Sequence, residues 1–413
     1  MLLRKTLQAL WAAAVCRWCS GLILQTSISQ AGPSSVQLFS DFGLAGGGSA
    51  AFDVIMDMSV SSQRARGYII LAGRSAAASF FHPNLKGSPD WAAVCSAPSA
   101  ARFEIVSTTS VNVTVPTADQ YTAYLLLCQD LLFAGTVTTT LLNLTPDGEL
   151  SQQLPIEDSP LPRLYTVVLV VWALVAALWL AQLWRCRAFV IKVHHMFTAV
   201  VGLRVVMEAV MAAYWYRLQQ PPGSSPSLQR LASLLSNADQ VLFIFTATLI
   251  GLGWGYMRQR LSTQEVRLLA VVFTAQSALS AAEALCVGGG PLCGIVVMLD
   301  YILRSLIMLT MVVAINFNIA HMRAALHVPW TSSMALEYLK LKQYLTFRWT
   351  FLAYLLLPIA TLAVQYAVLR WEYLWVGALL EEFLMVVITV HIGVTFAPFN
   401  TWFITRAYDQ SLE

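Results

Sequence analysis

LYTVVLVVWALVAALWLAQL (164–183) is a run of twenty residues without a single charge. A bilayer core of about 30 Å is crossed by about 20 apolar residues in a helix. Backbone groups facing lipid find no water to bond, so a run of this kind spans as a helix. The pattern recurs along the chain. It gives seven candidate spans, at 164–183, 194–216, 239–257, 267–286, 294–317, 349–369 and 374–396. The composition agrees. Of 413 residues, 57% are hydrophobic and only 11% are charged, with a mean hydropathy of +0.64. A soluble domain carries about 25% charged residues. The balance argues against a soluble enzyme, a disordered chain and a typical nucleic-acid binder. The net charge of +3 is too small to imply a polyanionic partner.

Upstream of the spans the chain differs in kind. Residues 1–24 place Arg4 and Lys5 before a short apolar stretch from Leu7 to Val15, with Ser20 and Gly21 after it. That is the layout of a secretory signal peptide. An uncleaved anchor helix is the alternative, and either sends the next segment into the secretory lumen. Residues 25–160 hold no spanning run. GYIILAG (67–73), RFEIVSTTSVNVTVP (102–116), YTAYLLLC (121–128) and GTVTTTLLNLT (135–145) are rich in β-branched and aromatic residues and are separated by turn formers. They predict strands, and together a small antiparallel lumenal β-sandwich.

Asn112-Val-Thr and Asn143-Leu-Thr fit the N-glycosylation acceptor pattern. Cys95 and Cys128 remain as the ectodomain pair once Cys16 and Cys19 leave with the signal, and an oxidising lumen favours bridging them. Two buried free thiols are the alternative. Cys286 and Cys293 fall together in CVGGGPLC, where a second disulfide is expected. Cys186 is expected to stay a thiol.

Orientation follows from Lys and Arg near the span ends. One side holds eleven: Arg185, Arg187, Lys192, Arg258, Arg260, Arg267, Arg323, Lys340, Lys342, Arg348 and Arg406. The other holds four: Arg163, Arg217, Arg230 and Arg370. The richer side marks the cytosol. The β-rich domain is then lumenal, the loop 318–348 cytosolic, and residues 161–400 form the bundle with 401–413 as a cytosolic tail.

A charge at mid-membrane costs about 2.5 kcal/mol or more on the insertion scale, so each one calls for a reason. Arg204 and Glu208 stand four apart in span two, and Asp300 and Arg304 four apart in span five, so each couple shares a helix face. Glu283 lies near the lumenal end of span four. Span seven carries Glu381, Glu382 and His391. Four spans thus predict a common polar interior. One reading is a wet cavity or conduction path; the other is a set of ion pairs that fix helix packing. Glu381 and Glu382 have no basic partner in their own span, and Arg304 or Arg204 is the expected neighbour.

Enzyme chemistry has little support. His194 and His195 are adjacent, so on a helix they diverge, and no H-x-x-x-H or H-E-x-x-H spacing exists. Headgroup-level histidines are the simpler account. No cofactor or metal site is expected. GLAGGG (43–48) is not a dinucleotide fingerprint. GLGWG (251–255), at the end of span three, reads as close helix packing.

The junction and several spans resemble a known family. SPLPRLY (159–165), KVHHMFTAVVGLRVV (192–206), LFIFTATLIGLGWGYMRQRLS (242–262) and LLEEFLMVVITVHIGVTFAP (379–398) are similar to the lung seven-transmembrane receptor family, also called GOST. YTAYLLLC is similar to the late strand of its Golgi-dynamics-like lumenal domain. The resemblance covers about 120–400 and leans to the orphan receptor-like branch rather than to Wntless. It implies a multi-pass Golgi or post-Golgi membrane protein of vesicle traffic, with endosome or plasma membrane as alternative stations. It also implies a lipid-accessible cavity in the bundle, for which Arg204, Glu208, Asp300, Arg304, Glu381 and Glu382 are the polar positions. The partners implied are membrane lipid, an unidentified lumenal cargo or ligand, and cytosolic sorting machinery or a G protein. The short ectodomain departs from larger relatives. Rhodopsin-type motifs are missing: Gly255-Tyr256-Met257-Arg258 closes span three and FAPFN (396–400) follows span seven. A non-enzymatic trafficking protein is the expectation. A receptor-like ligand sensor and a cation conductor are the alternatives.

Overall fold

The computed structural model describes residues 23–31, 34–56, 67–74, 101–105, 108–127, 132–144, 150–220, 225–258, 260–286, 291–325 and 333–398. The predicted signal sequence before residue 23, the Cys95–Cys128 pair and the tail lie outside these residues. Two compact units divide the chain. One holds residues up to Leu161 with Trp215–Ser225 and Arg370–Trp375; the other holds the remainder.

Among the described residues the first unit has nine strands: β1 Ile23–Ala31, β2 Ser34–Leu44, β3 Ser49–Met56, β4 Gly67–Gly73, β5 Ala101–Ile105, β6 Thr109–Thr114, β7 Asp119–Leu127, β8 Leu132–Leu144 and β9 Leu150–Gln152. They make two sheets, in which every pairing is antiparallel. One runs β1-β8-β3-β6 with β9 on the end of β8; the other runs β2-β7-β4-β5. The expected β-sandwich is therefore present. Period-two burial drives it: along β3, Ala50, Phe52, Val54 and Met56 turn inward while Asp53 and Ile55 face out. Phe39 of β2 stacks on Phe52 of β3 with ring centres 6.3 Å apart, joining the sheets. The strands expected from sequence match β4 to β8. Strands β1 to β3 add to them, and β1 begins at Ile23, two residues inside the stretch read as signal peptide.

Among the described residues the second unit carries seven helices long and apolar enough to cross a membrane. They are α1 Leu161–Arg185, α2 Lys192–Gln219, α3 Pro226–Gly251, α4 Thr263–Leu285, α5 Pro291–Ala325, α6 Ser333–Ala367 and α7 Trp375–Thr395. Each covers most of one expected span. Two boundaries need correction. Helix α3 begins at Pro226, thirteen residues before the expected span, because PSLQRLASLLSNA is too polar for an apolar run yet suits a helix; proline is favoured at the first helical position. The expected 318–348 loop is largely helix, since α5 continues to Ala325 and α6 starts at Ser333. At 35 residues each, α5 and α6 are about 52 Å long, well beyond a bilayer core.

Within GLGWG, Gly251 keeps the expected close helix packing, since a Cβ there would lie 3.2 Å from Met311 of α5, while Gly253 and Gly255 serve otherwise. They end α3. Gly253 has φ +85° and Gly255 φ +81°, a left-handed backbone that glycine adopts without strain. Gly253 N donates to Ile250 O at 2.9 Å and Trp254 N to Leu249 O at 3.0 Å, the paired bonds of a Schellman stop.

Candidate functional site

Arg204, on α2, is 8% exposed and its guanidinium meets three carboxylates. Nη1 donates to Asp239 of α3 at 2.8 Å, Nη2 donates to Glu382 of α7, and Nε lies 3.0 Å from Glu208 one turn along its own helix. The ring of Trp172 on α1 covers it at 5.4 Å. Four helices thus converge on one guanidinium. Removing two opposite charges from water is costly, and a buried pair holds only when its geometry is good. The cluster is acid-rich, with three carboxylates to one cation. Neither oxygen of the fully buried Glu208 has an aligned hydrogen-bond donor among the described residues. Glu208 is thus held by charge, with Oε1 3.0 Å from Arg204 Nε, rather than by aligned hydrogen bonds.

A second cluster forms around Asp300 of α5, 1% exposed. Its Oδ1 accepts from Gln276 Nε2 and Ser280 Oγ of α4, each at 2.7 Å, and its Oδ2 from Arg304 at 2.8 Å. Arg304 also donates to Gln240 of α3. Asp239 and Gln240 are neighbours on α3, so that helix supplies one residue to each cluster. Instead of one common interior there are two centres, with α3 serving both.

The expected pairings Arg204–Glu208 and Asp300–Arg304 are both present, and Glu382 meets Arg204. Glu381, half-buried, stands about 100° round the helix from Glu382. Glu283 is half-buried and joins no ion pair among the described residues. Asp239, Gln240, Gln276 and Ser280 were missed. Asp239 sits at the edge of the apolar run, and the other three are uncharged and escape a search for charges.

At the start of α2 stands His194, 3% exposed. Its Nδ1 accepts from Ile191 N at 3.0 Å, while Nε2 lies 2.9 Å from Phe396 O and 3.1 Å from the hydroxyl of Tyr256. That hydroxyl donates to Phe396 O at 2.7 Å. His195 is exposed, whereas His194 is buried and ties the start of α2 to the loop after α3 and the end of α7. Burial pushes the Tyr256 phenol well above its ordinary range, keeping it a neutral donor. Among the described residues no three His, Cys, Asp or Glu side chains group as metal ligands.

Cys286 and Cys293 form a disulfide with Cα atoms 5.6 Å apart, and Cys186 is a free thiol. Asn112 is exposed on β6, as a glycan acceptor must be. Asn143 is not available. It is 3% exposed; its amide nitrogen donates to Gly43 O at 2.9 Å and Leu154 O at 2.8 Å, and its oxygen accepts from Ala45 N at 2.8 Å. The atom that would carry the sugar instead holds the chain segments around β8 together.

Comparison with known proteins bears on the bundle. A search of curated proteins returns no match. Among solved structures the chain is similar to the rhodopsin of Exiguobacterium sibiricum, at 15% identity and a TM-score of 0.31, covering 57% of this chain and 94% of that one. The model of the GOST seven-transmembrane domain matches residues 160–401, from the residue before α1 to beyond α7. With more than half of its length matched and seven apolar helices in that stretch, the chain belongs to the GOST seven-transmembrane family.

Proposed function

We propose that this is a non-enzymatic Golgi membrane protein that assists vesicle-mediated membrane or cargo traffic. Its sandwich engages a lumenal cargo or partner, and its cytosolic helix ends and tail meet sorting machinery. The observation that carries the reading is the pairing of a family seven-helix domain with a separate antiparallel β-sandwich ahead of it. The sandwich offers the exposed positions of β3 and β6 and its loop ends for recognition while the bundle fixes it to one membrane. The test is to image the chain tagged at its tail and to follow retrieval of a Golgi marker in cells lacking it. Golgi signal with slowed retrieval is expected. Uniform plasma-membrane signal with unaltered retrieval overturns the proposal.

The acid excess around Arg204 favours a second reading, a cation or proton path through the bundle. Reconstituted currents should vanish when Glu208, Asp239 and Glu382 are neutralised. Currents that survive dispose of this path.

A further inference from the structure

A groove of about 1230 Å³ runs along α3 between α2 and α4. Ser280, which lines it, donates to Asp300, so the groove abuts the second ionic centre without including either arginine. Its walls are almost wholly apolar, with Leu203, Val241, Phe245, Leu269 and Phe273 among them. Leu231 and Leu249 of α3 both line it, so it extends about 27 Å, close to the thickness of a hydrocarbon core. The volume exceeds the roughly 300–1,000 Å³ of ordinary small-molecule pockets. Three of the polar groups along it are already engaged: Asn237 donates to Ser280 O at 2.9 Å, Ser277 to Phe273 O at 2.7 Å and Ser280 Oγ to Asp300 at 2.7 Å. A water-soluble ligand would therefore find few free partners there.

The charge is placed at one end only. Lys192, at the start of α2, and Arg260, just ahead of α4, are the two charged residues among those lining the groove. Both are exposed and neither joins an ion pair among the described residues. Nearby Arg258, by contrast, is paired with Glu265 at 3.2 Å. Trp254 lines the same end, where an amphipathic ring suits the headgroup level. Basic pockets between membrane helices on the side rich in Lys and Arg select anionic headgroups.

We infer that this groove holds an anionic phospholipid, its acyl chains along α3 and its headgroup phosphate between Lys192 and Arg260. The inference needs only the membrane-spanning bundle and is independent of the trafficking role.

The test uses the full chain in nanodiscs carrying a trace of photoactivatable lipid, either phosphatidylserine or phosphatidylcholine with the reactive group on an acyl chain. Crosslinks are mapped by mass spectrometry. Phosphatidylserine should label Leu203, Ala270 and Phe273 in preference to phosphatidylcholine by roughly thirtyfold, the product of two Lys/Arg contributions near a membrane surface. The double variant Lys192→Ala/Arg260→Ala should erase the preference; both side chains are exposed, and size-exclusion behaviour and melting confirm the fold. Ala270→Trp, which fills the groove and keeps both cations, should remove the labelling itself. Equal labelling by the two lipids overturns the inference, as does a preference that the double variant keeps. Crosslinks from the groove to a second protein chain overturn it too, as does competition by soluble glycerophosphoserine, which would assign the site to a free headgroup.

Discussion

Replacing Arg204 by methionine removes one cation and leaves Glu208, Asp239 and Glu382 facing one another. Methionine keeps the apolar stem but loses the guanidinium that lies over Trp172, so a lost ring contact adds to the electrostatic effect. A close ion pair is worth about 4 kcal/mol at an effective dielectric of 20, and truncating one partner of a buried pair costs about 3–5 kcal/mol. Arg204 serves three partners, yet the remaining carboxylates can each relax, so about 3–5 kcal/mol is expected for the whole loss. For a unit of this size about 1 kcal/mol lowers the melting temperature by roughly 2–4 °C. Thermal unfolding of the detergent-purified protein should therefore fall by about 6–20 °C. A second variant separates charge from shape. Adding Glu208→Gln, Asp239→Asn and Glu382→Gln to Arg204→Met removes the unpaired charges and should recover most of the loss. Unchanged melting in the single variant refutes the reasoning, and so does a neutralised variant that melts as low as the single one.

Asp300→Ala leaves Gln276, Ser280 and Arg304 without their common acceptor and should cost about 3–5 kcal/mol by the same melt, whereas Glu283→Gln should cost far less. Asn143→Ala strands an N–H and two carbonyls in the sandwich and should destabilise it by about 3 kcal/mol, read as faster limited proteolysis of the ectodomain. In glycosidase gel-shift assays Asn112→Gln should abolish the shift, and Asn143→Gln should leave it intact. Gly253→Ala forces a side chain into φ +85° and should cost about 1–2 kcal/mol; a melt equal to the parent's would remove the stop signal from the account.

Much of this fold is written in the order of residues. Seven apolar runs give seven helices because lipid accepts no other backbone. Strands β4 to β8 show through alternation and β-branching, as in RFEIV and VNVTV. Strands β1 to β3 do not, since their Ser, Gly and Ala residues carry a weak pattern and their partners lie from 55 (Val54 to Thr109) to 117 (Ile23 to Thr140) residues away. The ionic clusters were half legible. Spacing of four shows Arg204 with Glu208 and Asp300 with Arg304, because i,i+4 is a local rule. Which helix brings Asp239 to Arg204, or Gln240 to Arg304, is a matter of tertiary packing. His194 escaped because its partners, Tyr256 and Phe396, lie 62 and 202 residues away. Asn143 misled because a three-residue pattern is blind to burial.

The central claim is that a folded sandwich on one side of a membrane is joined to a bundle that crosses it seven times. Protease treatment of sealed microsomes, probed with an antibody to the sandwich and a tag at the C-terminus, tests it most directly. The sandwich should survive until detergent is added while the tag is cut at once. Protection of both, or cleavage of both, would place the two ends on one face and contradict an odd number of crossings.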